Sequence, residues 1–366
     1  MATLLLISLG KLTGAVLEGA VRSGAFERIV VAGRNPDAAR ARVHNARIGA
    51  AIEGRFPVVE AVHLDINAPG AGRVLAGVAP DLAFAAPSLM PWWALDRLDG
   101  ELGDRVRAVP FAGFMAFHLA PMLRLRAAWD ESGLRCPWIG ASYPDVVNAV
   151  LARTGPAPTC GIGNVAEIVP KIRFAVAAAT GCDPAACDVR LVAQHALEYF
   201  VYSDGPRGDR PPYRLSVTLD GRDLTAVAQE RLFEPFPIPY DLDFNRITAS
   251  AALTVLRALL GDAEVPEHVP APGGRLGGYP VLVSRHGVRL SLPAAWTEDD
   301  ALATNTASLP WDGIAALDGD GTVHFTEATA SALHALLGRP LHRMTVGTAE
   351  ALALELLDAL GTPRSR

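Results

Sequence analysis

The chain has 366 residues, 50% of them apolar, so it can bury a large core and exceeds one typical domain. Its 39 acidic and 33 basic side chains give a formal charge of −6, without the surplus of Lys and Arg that gripping nucleic acid or an anionic membrane surface requires. Four cysteines, Cys136, Cys160, Cys182 and Cys187, show no C-x-x-C spacing, which speaks against a zinc site or a disulfide framework and fits a reducing cytoplasm.

In chain order, the apolar run Leu4 to Leu9 is too short to span a membrane. It lacks a basic lead and a cleavage pattern, so it reads as a buried strand. The pattern predicts strands over 3–9, 28–33, 58–64, 81–86, 137–141 and 158–162, separated by amphipathic stretches such as 13–23 and 37–53. The second of these stretches opens with Asn35 as N-cap and Pro36 in the first helical position. Such alternation predicts an α/β fold, a Rossmann-type doubly wound parallel sheet of six strands forming a dinucleotide-binding domain over 1–160. After Gly163 the pattern turns α+β, giving a catalytic domain over 161–366. It has a helix to about Gly181, strands at 188–193 and 213–219 closed by the turn pair Asp220-Gly221, and a helix over 244–260. A hairpin follows over 279–292 around His286-Gly287, and a last helix over 349–360. The Pro- and Gly-rich stretches 266–278 and 205–213 read as loops.

The first strand runs into Ser8-Leu9-Gly10-Lys11-Leu12-Thr13-Gly14 and then a helix. Gly10 lets backbone approach a pyrophosphate, Gly14 lets helix and strand pack closely, and the helix N-terminus favours phosphate charge. Ser8 stands where the motif's first glycine is expected. About 20 residues on, where an NAD fold places an acid on the ribose 2′-hydroxyl, the second strand ends in Gly33-Arg34-Asn35. Arg34 offers a donor fork to a 2′-phosphate, so NADP is expected, with NAD as the alternative; a solvated arginine at a strand end is the plainer reading. Ala83 to Pro87 ends the fourth strand with small residues, and Ala86 and Pro87 are candidates to lie against the cofactor.

Three segments then follow in order: Gly140-Ala141-Ser142-Tyr143-Pro144-Asp145, Cys160-Gly161-Ile162-Gly163-Asn164, and Leu191-Val192-Ala193-Gln194-His195-Ala196. With the helix of Glu167 to Arg173 between the last two, their order and spacing resemble the lactate/malate dehydrogenase family. The resemblance implies His195 as the group that exchanges a proton during hydride transfer, and Glu167, on the preceding helix, as its carboxylate partner. It also implies Ser142 near the nicotinamide, Asn164 at the substrate, and a homo-oligomer. The family's carboxylate-clamping arginine falls at Pro170 here, so Arg173 and Lys171 are the nearest cations. Lys171 is one of only two lysines in the chain, with Lys11. It reads as a substrate anchor or proton donor, or equally as an i,i+4 partner of Glu167.

The family's arginine-bearing mobile loop maps onto Ser88 to Trp93. No arginine is present there, and Trp92 is a candidate contact for a bulkier substrate. Arg246 and Thr248 open the long helix that borders the family's substrate pocket. These residues imply an NADP-dependent oxidoreductase acting on a carbonyl or imine of a small organic acid or specialised metabolite. Two alternatives stay open: an NAD- and metal-dependent glycosidase-like hydrolase using Cys160 and His195, and a non-catalytic NADP(H)-binding protein.

Overall fold

The computed structural model describes residues 2–202, 208–239 and 241–362, so the predicted loop 205–213 lies partly outside the described residues. Thr3–Ile7 (β1) leads into Lys11–Ser23 (α1), Arg28–Gly33 (β2) into Pro36–Ile52 (α2), and Val58–His63 (β3) into Ala71–Val78 (α3). Leu82–Ala85 (β4) is followed by Trp92–Asp96 (α4), Gly100–Arg107 (α5) and Ala116–Ser132 (α6), then Trp138–Gly140 (β5) and Pro144–Thr154 (α7). The five strands pair in parallel in the order β3-β2-β1-β4-β5, the doubly wound arrangement. Leu4, Leu5, Leu6, Ile29, Val30 and Val31 are fully buried, because helices cover both faces of the sheet and leave no polar side. Asn35 caps α2 as its position predicts, accepting from the Ala38 amide at 2.9 Å.

The expected sixth strand, 158–162, is not formed. It contributes a single parallel bridge, Ile139 to Cys160, at the edge of β5. Pro156 and Pro158 remove two backbone donors there, and the glycines that follow weaken an extended ladder.

The second half is α+β. It begins with Val165–Thr180 (α8), Asp188–Val192 (β6), Ala196–Tyr202 (α9), Arg214–Leu219 (β7), Arg222–Asp223 (β8), Thr225–Arg231 (α10) and Asn245–Ala258 (α11). Val265–Pro270 (β9), Gly278–Ser284 (β10) and Gly287–Leu290 (β11) form an antiparallel sheet. The expected loop 266–278 is thus half strand. β9 lies at the edge of that sheet, where proline is tolerated because one side of the strand needs no donor. The tight turn at Asp220-Gly221 is present, with φ of 48° and 80°, and joins β7 to β8.

The chain closes with Glu298–Asp312 (α12), Ile314–Leu317 (β12), Val323–Phe325 (β13), Glu327–Leu337 (α13), Arg343–Met344 (β14) and Ala349–Ala359 (α14). This last segment returns to the parallel sheet: Val323, Leu352 and Leu356 share a core with Leu5, Ile7 and Val30, and α14 packs on α6. On the other face, Ala252 and Leu256 of α11 share a core with Leu4, Leu6 and Ile29. Gly19 makes that contact close, since a Cβ there would lie 2.2 Å from Leu253 Cδ1. A third core, with Ile172, Leu191 and Val217, holds α8 against β6 and β7. Among the described residues no helix is long and apolar enough to cross a membrane.

Candidate active site

The carboxyl ends of β1, β2 and β3 open onto a cavity of about 790 Å³, lined by Ser8, Gly10, Arg34, Asn35, Asp65 and Pro87, with Arg124 of α6 and Glu350 of α14 on the far wall. Its size suits an extended organic ligand. α1 opens without a side-chain cap, with Gly10 as N-cap and no acid in its first turn, so its first N–H groups and the positive end of its dipole remain available to an anion. A Cβ on Gly10 would meet nothing within 4 Å among the described residues, so no packing among them explains the glycine. Ser8, in the place of the motif's first glycine, holds the left-handed conformation at φ 70°. These features fit a dinucleotide pyrophosphate. Lys11 and Leu12 form the start of α1, and Ala86 bonds to the end of β1 through its amide and the Ile7 carbonyl at 3.3 Å. Arg34 is exposed on the cavity wall and makes no ion pair among the described residues. Ser142 is buried and gives its hydroxyl to the Pro87 carbonyl at 2.7 Å, tying β5's end to β4's rather than presenting a free donor.

His195 stands between β6 and α9, in a segment anchored by the bridge from Ala193 to Gly278. Its Nδ1 faces both carboxylate oxygens of Asp312 at 3.0 Å. The resemblance implies Glu167 as partner, and the structure replaces it with Asp312, the last residue of α12. Glu167 turns back to cap its own helix, Oε2 accepting from the Asn164 amide at 3.0 Å, so it stands near His195 as a charge while Asp312 makes the contact to the ring. Asp312 is further fixed by the Tyr143 hydroxyl at 2.7 Å and the Gln194 amide at 2.6 Å. The rings of Phe111 and Tyr143 lie 4.8 and 5.2 Å from that of His195.

A second carboxylate holds the backbone of the same residue. Asp145, fully buried in the first turn of α7, accepts from the His195 amide at 3.1 Å and from the Asn164 side chain. Tyr143 and Asn164, which flank this carboxylate in the site, both have positive φ, 48° and 50°. Such conformations cost about 1–3 kcal/mol each and persist where surrounding structure enforces them, typically at functional sites.

The electrostatics follow from burial and proximity. Burial alone would push the His195 pKa down, but Asp312, then Asp145 and Glu167, outweigh it and hold it above the ordinary imidazole value. Burial opposes ionisation of Asp312 too, yet His195 and the three hydrogen bonds keep it below the usual carboxylate range. Asp145 is pushed up to about 7 by burial, against the pull of His195 and Asn164. Glu167 and Glu198 lie against one another, and burial raises both, with Glu198 well above its ordinary value. Burial, with help from His195, lowers His118 to about 4, and its Nδ1 is buried without a partner among the described residues.

The remaining candidates divide. Thr248 is brought against Glu167. Lys171 is not brought to His195: its ammonium donates to the carbonyls of Val201 and Glu234 at 2.7 and 2.9 Å and sits over the Tyr202 and Phe236 rings. Burial lowers it to about 8 against the charge of Glu234. It is a clasp between α8, α9 and the chain just beyond α10. Arg173 lies near Glu267, His268 and Cys187, and Arg246 is 82% exposed and paired with Asp243. Trp92 opens the short helix α4, where the resemblance implies a loop. Cys160 is buried, and burial pushes its thiol up to about 12.

No protein-family model and no curated protein matches the sequence. Solved structures do. A lactate dehydrogenase from a deep-sea metagenome library of the Medee basin superposes with a TM-score of 0.55 at 12% identity, covering 85% of this chain and 96% of its own. The malate dehydrogenase of Plasmodium falciparum gives 0.54 at 10% identity, over 91% and 99%. The lactate dehydrogenase of Cryptosporidium parvum, solved with lactic acid and nicotinamide adenine dinucleotide, gives 0.53 at 13% identity, over 85% and 98%. The fold of this chain is that of the lactate and malate dehydrogenases.

Proposed function

We propose that the chain is an NADP-dependent oxidoreductase that reduces a carbonyl or imine of a small metabolite, with His195 as proton donor and acceptor. The observation that carries the reading is the His195–Asp312 pair on a Rossmann-type sheet whose first helix opens uncapped over Gly10. In this reading residues 1–160 bind the cofactor and 161–366 the substrate. Gly10 and the first turn of α1 would hold the pyrophosphate, Arg34 the 2′-phosphate, and Pro87 the ribose or ring. A bound nicotinamide supplies the hydride.

The protein's own task is proton transfer. Asp312 on Nδ1 requires an N–H there, which directs the other ring nitrogen, Nε2, to the reacting group and stabilises the imidazolium before it gives up its proton. Tyr143 and Gln194 hold Asp312 in that geometry, and Asp145 fixes the backbone that carries the ring. The exposed apolar side chains Ile48, Ile52, Phe56 and Val58, beside the edge strand β3, support a homo-oligomer, which light scattering tests.

The test of function is NADPH oxidation across a panel of carbonyl and imine compounds. Turnover lost in His195→Gln with NADPH binding retained is the expected result. Binding without turnover of any panel member, unchanged by His195→Gln, would favour the nucleotide-sensing alternative.

A further inference from the structure

We propose that the carboxyl cluster beside His195 takes a substrate bearing a cationic nitrogen, an amine or iminium, rather than the carboxylate of a 2-hydroxy acid. The proposal rests on the reading of His195 as the reaction centre.

Four carboxyl groups are gathered there: Asp145, Glu167, Glu198 and Asp312, none more than 4% exposed. The ion pair they make among the described residues is His195 with Asp312. Four buried carboxyls with one imidazole are an incomplete set, since burying an uncompensated carboxylate is costly. The protein meets that cost by holding protons on the group, which is why Asp145, Glu167 and Glu198 all titrate high. A bound cation can take the place of those protons.

Glu167 supplies a second observation. Only its Oε2 is used by the helix cap, while Oε1 is buried and meets no donor at hydrogen-bond geometry among the described residues, with Glu198 and Thr248 lying against the side chain. Gly163 keeps this spot uncovered, because a Cβ there would stand 3.2 Å from both Glu167 Oε1 and Thr248 Cγ2. An acceptor with no donor suits an N–H of a ligand. His195 is 22% exposed in its side chain and Thr248 is partly exposed, so solvent reaches the cluster from their side.

Among the described residues no lysine or arginine makes an ion pair with these four carboxyls. The clamp position is Pro170, Arg173 lies toward Glu267 and His268 of β9, Arg246 pairs with Asp243 on the surface, and Lys171 is spent on two carbonyls. A substrate carboxylate entering here would meet like charge and no guanidinium.

The test uses isobutylammonium and isobutyrate, matched in shape and opposite in charge, titrated by calorimetry into nucleotide-free protein at neutral pH. Isobutylammonium is expected to bind roughly tenfold or more tightly than isobutyrate, and Glu198→Gln and Glu167→Gln are expected to remove that preference. Equal binding, preference for isobutyrate, no binding of the ammonium, or a preference that survives both substitutions would overturn the proposal. The comparison on the unsubstituted protein stands even where a variant fails to fold. A separate NADPH titration of the same protein tells the two readings apart, because loss of nucleotide binding strikes the oxidoreductase reading without touching the ammonium result.

Discussion

Replacing Asp312 by Asn keeps the shape of the side chain and removes the charge on which His195, Tyr143 and Gln194 converge. In the native protein His195 is held above, and Asp312 below, their ordinary pKa values. The raised histidine contributes stability that is fully present below its unfolded value and is lost as pH rises through the folded one. The depressed aspartate contributes stability present above the ordinary carboxylate range and lost as pH falls through its own folded value. The pair therefore stabilises the fold most between those two limits.

The Asp312→Asn variant would lose one charge-assisted bond to the ring, about 2 kcal/mol, and would turn its new amide nitrogen toward a donor from Tyr143 or Gln194, leaving that donor unpaired at about 1–3 kcal/mol more. Relief of the buried anion offsets part of this, so a net loss of about 2–4 kcal/mol at neutral pH is expected from urea unfolding. The sharper assay is the imidazole ¹⁵N spectrum of His195, which requires no substrate. Its titration is expected to move to lower pH in the variant, because burial then acts with less opposition. A His195 titration that stays in place, with the fold intact, would refute Asp312 as the residue that sets the charge of the ring.

Three further outcomes are expected. Gly10→Val meets no protein atom at its Cβ and keeps an extended backbone, so stability should change by no more than about 1 kcal/mol while NADPH affinity, measured by fluorescence titration, falls roughly tenfold or more; unchanged affinity would remove the groove as the cofactor site. Ser8→Gly relieves a left-handed serine and should stabilise the fold by about 0.5–1 kcal/mol in chemical denaturation, whereas a loss would show that no strain is held there. Asp145 is raised to about 7, so the unfolded chain gives up this proton before the folded one does, and its contribution declines from the ordinary carboxylate range up to about pH 7. Thermal unfolding followed against pH should show that decline and a flatter profile in Asp145→Asn; equal slopes would contradict it.

What the sequence discloses follows from the reach of its signals. Consecutive apolar residues in Leu4 to Ile7 and Ile29 to Ala32, the Asn35-Pro36 helix start and the Asp220-Gly221 turn are local instructions, and the structure obeys them. Most of Val265–Pro270 falls in the stretch 266–278 that reads as loop, because its prolines hide a strand that only its neighbour β10 makes possible. His195 emerges from the order of three segments, and Asp145 and Gln194 lie inside those segments. Asp312 gives no signal: an acid before Gly313 at the end of a helix is an ordinary helix stop, and 117 positions separate it from His195. Pairing at that distance is set by the return of the C-terminal segment onto the sheet. Lys171 draws attention through its rarity in the sequence, but its partners are carbonyls, which no composition bias can reveal.

The most direct test of the central claim is titration of the purified protein with NADPH and with NADH, followed by fluorescence and repeated on Arg34→Ala. The account predicts saturable binding that favours NADPH, with the preference lost in the variant because the 2′-phosphate loses its guanidinium. Binding of neither nucleotide would contradict it and leave a dehydrogenase fold without dehydrogenase chemistry.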